Sequence, residues 1–194
     1  MKLLIASNNQ HKIDEIKQIL GNKFEQILSL SEAGIVCDPE ENGKTFLDNA
    51  LIKVRAVAKL TDMPVLGDDT GLCVDALNGA PGVHSARFAG DHDNAKNRAK
   101  LLYELQDETN RKAHFSTAVA LLYPDGRLVT AEGRVDGEIL HAEVGTNGFG
   151  YDSLFYCNEI GKTFAEATAE EKNAVSHRAR AVRKLAAYLH STER

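Results

Sequence analysis

Short apolar runs alternate with amphipathic segments along the first half of the chain, and this pattern predicts the strands and helices of an α/β fold. Apolar runs over 2–6, 24–30 and 63–67 predict buried strands. Between the first two runs, apolar side chains recur at helical spacing from Ile13 to Leu20, and the next residues, Gly-Asn, end the predicted helix. The chain is therefore predicted to open as strand, turn, helix and strand.

The second half of the pattern adds antiparallel pairing. A helix is predicted over 93–105, and alternation over 114–123 predicts a strand. Pro124-Asp125-Gly126 is typical of a tight turn, so 127–135 should return beside that strand as a hairpin. The dipeptide Asp136-Gly137 is predicted to begin a second reversal. These segments together indicate a sheet with both parallel and antiparallel pairs.

Capping residues predict where further helices begin. Thr45 can cap a helix with Asp48 three residues on, and Thr168 stands in the same relation to Glu171. Ser176 is predicted to cap the last helix.

Composition narrows the class of protein. The 194 residues are 43% hydrophobic and 26% charged, which is typical of a soluble globular chain. A net charge of −5 gives no basic field for nucleic acid, and no apolar run has the length of a membrane span or a signal peptide. The widely spaced Cys37, Cys73 and Cys157 indicate reduced thiols in a cytoplasmic protein. Residues 1–194 contain no linker or repeat and are predicted to form one domain.

Two adjacent carboxylates, Asp68 and Asp69, follow the apolar run at 63–67, and Thr70-Gly71 is predicted to turn the chain after them. Neighbouring carboxylates resist ionising together when they are partly buried, and a cation removes that cost. Carboxylate oxygens are the ligands that Mg²⁺ prefers, and strand ends are the usual place for active sites in α/β proteins. The pair therefore indicates either a metal-assisted active site or an acidic surface turn.

The turn before the first helix has the groups that a phosphate requires. It offers a hydroxyl, amides and an ammonium at a helix N-terminus, where N–H groups and the helix dipole attract anions: Ser7, Asn8, Asn9, Gln10, His11 and Lys12. The glycines of a Walker loop are missing. Simple helix capping by Ser7 or Asn8 is the competing interpretation.

A glycine-rich stretch with two aromatic rings, over 145–152, is typical of a loop that approaches a flat ligand closely. An exposed Phe149 could stack on a base, whereas the alternative is a tight loop with Phe149 and Tyr151 packed inward. His177 and Arg178 lie in the first turn of the last helix, where the dipole disfavours cations. They are therefore candidate donors to an anion or a carbonyl oxygen.

Combined, the acidic pair, the polar turn and the lysines at 12, 53 and 172 describe a site for a nucleoside triphosphate with Mg²⁺. At these residues the chain resembles the inosine/xanthosine triphosphate pyrophosphatases, which are hydrolases of deaminated purine nucleotides. The resemblance covers essentially the whole chain and rests on ordered motifs: SNNQHK at 7–12, TFLDNALIK at 45–53, GDDTGLCVDALNGAPGVHSARFAG at 67–90, GFGYD at 148–152 and SHR at 176–178.

The resemblance implies hydrolysis between the α- and β-phosphates, which gives a nucleoside monophosphate and pyrophosphate. It implies that Asp69 is the general base and a Mg²⁺ ligand, with Glu40 helping to hold the metal. Whether Glu40 or Glu41 reaches the ion stays open. The implied substrate-binding residues are Ser7–Lys12, Lys53 and Thr70 for the triphosphate, and Phe149, Gly150, Tyr151, Asp152, Lys172, His177 and Arg178 for the nucleoside.

The resemblance also implies the architecture, an α/β fold with an elongated mixed sheet flanked by helices, two lobes with the active site in the cleft, and a homodimer. We expect His177 and Arg178 to donate to the 6-oxo group of hypoxanthine or xanthine, where adenine carries an amino group instead. Two positions depart from the family pattern. Asp48 stands where Glu is usual, and Thr70 stands where Ser is usual.

Three rival interpretations stay open at this point. A metal-dependent nucleotide pyrophosphatase of the pyrimidine-cleaning type would differ in substrate preference. A haloacid-dehalogenase-like phosphatase needs an Asp-x-Asp spacing, which Asp68-Asp69-Thr70 lacks. A nucleotide sensor without catalysis would bind inosine triphosphate and release no product.

Overall fold

The computed structural model describes residues 1–90 and 92–191, so position 91 and positions 192–194 of the predicted domain lie outside the described residues. The strands are β1 (Lys2–Ile5), β2 (Gln26–Ser29), β3 (Val65–Val74), β4 (Lys112–Leu122), β5 (Leu128–Ile139), β6 (Phe155–Cys157) and β7 (Lys162–Thr163). The α-helices are α1 (Gln10–Leu20), α2 (Phe46–Val57), α3 (Asn94–Glu104), α4 (Ala169–Val175) and α5 (His177–Ser191). Among the helices of this described part, none is long and apolar enough to cross a bilayer.

The strands form one mixed sheet in the order β2-β1-β3-β4-β5-β6-β7. β1 pairs in parallel with β2 and β3, with Leu4 opposite Leu28 and Val65. β6 pairs antiparallel with both β5 and β7. The predicted α/β fold with a mixed sheet is therefore confirmed.

Two predicted reversals are wrong because strand pairing and burial override local turn residues. β3 continues through Thr70 and Gly71, so Asp68 and Asp69 lie inside a strand rather than after it. β5 continues through Asp136-Gly137, where Gly137 pairs with Cys157 of β6. A Cβ on Gly137 would lie 2.2 Å from the Tyr156 carbonyl oxygen, so this glycine permits a close approach of two strands and forms no turn.

Both predicted capping boxes are present. The Thr45 hydroxyl accepts from the Asp48 backbone N at 3.1 Å, and the Asp48 carboxylate accepts from the Thr45 backbone N at 3.0 Å. Thr168 and Glu171 make the same pair of hydrogen bonds at the start of α4. Asp48 is therefore long enough to complete the box at the start of α2, although Glu is usual at this position in the family it resembles.

The chain divides into two compact units that alternate along the sequence. The first unit comprises Met1–Asp69, Thr117–Gly133 and the described residues from Arg178 onward. The second unit comprises Thr70–Ser116 and Arg134–His177, apart from position 91. Each unit has a hydrophobic core of its own.

The core of the first unit lies on both faces of β1. Leu3 and Ile5 pack with the apolar faces of α1 and α5, and the alternate residues Leu4 and Ala6 pack with α2. This alternation follows from the two-residue period of a strand. A Cβ on Gly67 would lie 2.7 Å from Val54 Cγ1, so α2 packs directly on β3 just before the acidic pair.

The core of the second unit is built on aromatic rings. The ring centroids of Phe115 and Phe155 lie 4.7 Å apart, and those of Phe155 and Phe164 lie 5.2 Å apart. Leu72 of β3 and Leu101 of α3 belong to the same cluster. Tyr151 of the glycine-rich loop belongs to this cluster as well.

Candidate active site

The predicted phosphate turn leads into α1, and Asn9 caps that helix, not Ser7 or Asn8. Asn9 Oδ1 accepts a hydrogen bond from the Lys12 backbone N at 3.3 Å, and Ser7 Oγ accepts one from the Asn9 backbone N at 3.1 Å. The exposed residues of this turn are Asn8, Asn9, Gln10 and His11. Capping and phosphate binding are therefore compatible, because the cap fixes the turn while its side chains stay at the surface.

Asp68 is buried in the first unit and contacts two cations. Lys12 Nζ lies 3.2 Å from Asp68 Oδ2, and Arg178 Nε donates to the same oxygen at 3.2 Å. Burial alone would raise the pKa of Asp68, but Lys12 and Arg178 outweigh it and hold the pKa well below its usual range. Asp68 is therefore a permanent anion that holds the two cations in place.

Glu15 of α1 is a further charged residue near Asp68, and it was not predicted from the sequence. Its carboxylate pairs with Arg178 Nη1, so this guanidinium, which is 1% exposed, joins α1 to β3 through Glu15 and Asp68. The sequence feature that could have indicated Glu15 is its position three residues after Lys12, which places both side chains on the same side of one helix.

Asp69, the next residue, has different surroundings in the same unit. Its Oδ2 accepts a hydrogen bond from Asn49 Nδ2 at 2.9 Å, and its Oδ1 lies 3.7 Å from Lys53 Nζ. Burial raises the pKa of Asp69, and the nearby Lys53 and Lys12 only partly oppose this effect. A carboxylate with a raised pKa holds a proton more strongly, which suits a general base.

Glu41 shares a lysine with this carboxylate. Lys53 Nζ is 3.2 Å from Glu41 Oε2, so one ammonium contacts both Glu41 and Asp69, whereas Glu40 is exposed. Two carboxylates drawn to one cation are the donors that suit Mg²⁺, which keeps several waters and takes one or two protein carboxylates. Within residues 1–90 and 92–191 no group of three or more His, Cys, Asp or Glu side chains could hold a metal. The carboxylates that could hold Mg²⁺ here are therefore those of Glu41 and Asp69.

Asp152 organises the glycine-rich loop of the second unit. Its Oδ2 accepts a hydrogen bond from the Phe149 backbone N at 3.0 Å and lies 2.6 Å from Lys172 Nζ. Gly148 has a φ of 72°, and a Cβ there would lie 2.1 Å from the same oxygen. The ammonium of Lys172 is 4.9 Å from the ring centroid of half-buried Phe149. The loop therefore places one aromatic ring next to a buried ammonium.

Two contacts with residues outside the loop hold it in place. Arg98 Nη1 of α3 donates to the Gly150 carbonyl at 3.0 Å, and Arg98 Nε lies 2.9 Å from Glu143 Oε2. The buried Tyr151 donates its hydroxyl to the Ser85 carbonyl at 2.7 Å, so the inward-packed alternative is correct for Tyr151. Arg98 and Glu143 were not predicted as site residues, because both lie outside the loop motif and nothing in their local sequence indicates the contact.

His177 and Arg178 are neighbours in the sequence with different surroundings. The buried His177 ring stacks on Phe115 in the second unit, with centroids 4.7 Å apart and planes at 16°. Arg178 belongs to the first unit and contacts Asp68 as described. Thr70 is half-buried in β3. The contacts of these three residues with a nucleotide stay predictions.

Fold and site together define an α/β protein with a carboxylate pair set among lysines on a central strand of a mixed sheet. The family model described as the Ham1 family matches residues 3–188. The dITP/XTP pyrophosphatase of Clostridium perfringens is 50% identical over 193 residues, which cover 95% of each chain. The chain belongs to the Ham1 family, and the resemblance stated from its motifs is confirmed.

Solved structures agree with this assignment. The Ham1 protein of Staphylococcus aureus matches with a TM-score of 0.88 and 40% identity, over 99% of this chain and 100% of that one. A nucleoside-triphosphatase / dITP/XTP pyrophosphatase of Mycobacterium abscessus matches with a TM-score of 0.76 and 44% identity, over 97% and 99%.

Proposed function

We propose that this chain hydrolyses the deaminated purine nucleoside triphosphates ITP, dITP and XTP to a nucleoside monophosphate and pyrophosphate. The name dITP/XTP pyrophosphatase, borne by the relatives in Clostridium perfringens and Mycobacterium abscessus, supports this reaction. The observation that carries the proposal is the position of Asp69, a buried carboxylate 3.7 Å from Lys53, whose ammonium also contacts Glu41. Asp69 can act as the base, Lys53 supplies a cation and Glu41 supplies a second acid, and these groups suit the attack of water on a phosphoanhydride.

Lys12 and Lys53 are the proposed cations for the triphosphate, together with the turn at 7–12 and Thr70. Burial lowers the pKa of Lys12, while Asp68 opposes this effect. A bound phosphate would add negative charge and favour the charged ammonium further, so nucleotide binding and protonation of Lys12 support each other.

Mg²⁺ is the proposed cofactor, with Asp69 and one neighbouring glutamate as protein ligands. Glu41 is the better candidate than Glu40, because Lys53 draws Glu41 towards Asp69. When bound, Mg²⁺ would lower the pKa of a water and neutralise charge on the leaving pyrophosphate. Asp69 would accept the proton of the attacking water at Oδ1, because Asn49 engages Oδ2. The reaction needs no covalent intermediate.

The nucleoside is proposed to lie against the ring of Phe149, with the other loop residues Gly150, Tyr151 and Asp152 and with Lys172. His177 and Arg178 are the proposed donors to the 6-oxo group, where adenine would place a donor against donors. Because Arg178 also holds Asp68, its replacement should lower the turnover of every nucleotide as well as the preference for inosine.

We further propose that residues 1–194 form a single domain and that the active site lies in a cleft. The protein is proposed to be a cytoplasmic homodimer that binds neither nucleic acid nor a membrane.

A substrate panel tests the reaction. Turnover of inosine triphosphate, ATP, GTP and dTTP is measured with Mg²⁺, and pyrophosphate is scored separately from orthophosphate. We expect pyrophosphate, with inosine triphosphate as the preferred substrate. Orthophosphate as product, a preference for dTTP, or binding without any product would each contradict the proposal and favour, in turn, a phosphatase, a pyrimidine-type pyrophosphatase or a sensor.

A further inference from the structure

Asn49 is a buried asparagine whose side chain joins a loop to Asp69. Its Oδ1 accepts a hydrogen bond from the Gly43 backbone N at 2.8 Å, and its Nδ2 donates to Asp69 Oδ2 at 2.9 Å. The residue is 1% exposed. A backbone N–H can only donate, so the oxygen of the amide must face Gly43 and its NH₂ group must face Asp69.

The start of α2 fixes where this amide points. The backbone N of Asn49 donates to the Thr45 carbonyl at 3.2 Å, one residue after Asp48 closes the capping box. The loop packs against the amide, because a Cβ on Gly43 would lie 2.5 Å from Asn49 Oδ1. The Asn49 side chain therefore has little room to rotate, and its NH₂ group points towards Asp69.

This arrangement gives the two oxygens of Asp69 different surroundings. Oδ2 is held by Asn49, and Oδ1 faces Lys53 at 3.7 Å. A rotation of the carboxylate would break the hydrogen bond from Asn49. The same amide also holds Gly43, two residues beyond Glu41, so it ties the Glu41 loop to the strand that carries Asp69.

We propose that Asn49 is a positioning residue for Asp69, holding Oδ2 so that Oδ1 is presented to the attacking water. The inference rests on the proposed role of Asp69 as general base. The position of Asp69 affects the rate of the chemical step. Nucleotide affinity, in contrast, is proposed to depend on the lysines and the aromatic loop. Loss of the amide should therefore lower kcat and leave KM for inosine triphosphate unchanged.

Two substitutions separate the contacts of Asn49. Asn49→Asp has the same shape and can still accept from Gly43, but it removes the donor to Asp69 and sets two carboxyl groups together. Asn49→Ala removes both contacts. We expect kcat to fall by about ten- to a hundred-fold in each, as for other residues that orient a catalytic group through a hydrogen bond.

Asn97 provides a matched control in the second unit. It is also 1% exposed, and its side chain also makes two hydrogen bonds, accepting from the Ala89 backbone N at 2.7 Å and donating to the Ala86 carbonyl at 3.0 Å. Asn97→Ala therefore removes a buried asparagine whose two hydrogen bonds are to main-chain atoms. We expect it to lower stability as Asn49→Ala does while leaving kcat close to that of the wild type.

The outcomes distinguish the inference from the proposed function. A wild-type chain without pyrophosphate release from inosine triphosphate contradicts the function itself. An active wild type whose kcat survives Asn49→Asp contradicts positioning alone, and so does an equal loss of kcat in Asn97→Ala. A rise in KM without a fall in kcat also overturns it. Should Asn49→Ala fail to fold, the isosteric Asn49→Asp decides.

Discussion

Lys172 Nζ lies 2.6 Å from Asp152 Oδ2, and both side chains are buried, at 7% and 5% exposure. The same carboxylate oxygen accepts the backbone N–H of Phe149. One ion pair therefore sets both the loop conformation and the ammonium beside the aromatic ring, so its loss should affect stability and nucleotide binding together.

Replacing Lys172 tests the structural part of this relationship. Lys172→Met leaves the Asp152 carboxylate buried without its cation, and we expect a loss of about 3–5 kcal/mol in the free energy of unfolding in urea. The control is Lys162→Met, because Lys162 pairs with Glu171 at 2.8 Å in a partly exposed position, with 34% and 41% exposure. Loss of this partly exposed ion pair should lower the free energy of unfolding by less than about 1 kcal/mol. Equal losses in the two variants would show that burial of the pair is unimportant.

Gly148→Ala tests the close approach of the loop to Asp152. The added Cβ would lie 2.1 Å from Asp152 Oδ2, so the carboxylate must move and KM for inosine triphosphate should rise. Gly126→Ala is the matched control, since Gly126 also has a positive φ, 87°, but among the described residues beyond its two chain neighbours no atom lies within 4 Å of the new Cβ. It should show only the backbone cost of about 1–2 kcal/mol, with KM unchanged. A normal KM in Gly148→Ala would mean that Asp152 does not set the binding geometry.

Arg98 should act on binding through the loop it holds. Arg98→Met removes the donor to the Gly150 carbonyl and the partner of Glu143, so the loop loses its link to α3. We expect KM for inosine triphosphate to rise several-fold with little change in kcat. Lys96→Met, on the same helix at a side chain with 74% exposure, should change neither constant. A fall in kcat at constant KM would assign Arg98 a different role.

Glu32 should make stability depend on pH in the acid range. Hydrogen bonds from Lys17 and from the Ser29 backbone lower the pKa of Glu32 to about 2, from an ordinary 4.5. A carboxyl with a lowered pKa stabilises the fold fully above its ordinary pKa, and this contribution is lost as pH falls from about 4.5 to about 2. Unfolding of the wild type and Glu32→Gln should therefore differ most above pH 4.5 and converge towards pH 2. Lys17→Met should weaken this pH dependence; a gap that is constant with pH would contradict the assignment.

Local signals in the sequence predicted a good part of the molecule. The Thr45–Asp48 and Thr168–Glu171 boxes were predictable because capping uses residues three apart, and the apolar spacing from Ile13 to Leu20 predicted the helix that the structure shows. Neighbouring polar residues at Asp68 and Asp69 also indicated where cations would gather.

The remaining features depend on contacts between distant segments. Thr70-Gly71 and Asp136-Gly137 carry turn residues, yet burial and strand pairing keep both extended. Glu40 and Glu41 are adjacent residues of the same type, so the sequence could not show which of them is near Asp69. In the structure it is Glu41 that pairs with Lys53. The ion pair of Arg178 with Asp68 spans 110 residues, so no local pattern could reveal it.

The most direct measurement is the release of pyrophosphate from inosine triphosphate in the presence of Mg²⁺ by the wild type and by Asp69→Asn. The substitution keeps the shape of the side chain and removes the proton acceptor, so we predict that kcat falls by at least about a hundred-fold while the protein stays folded. Asp75→Asn, at an exposed acid just beyond β3, is the control and should keep wild-type turnover. Pyrophosphate release that survives Asp69→Asn would contradict the account.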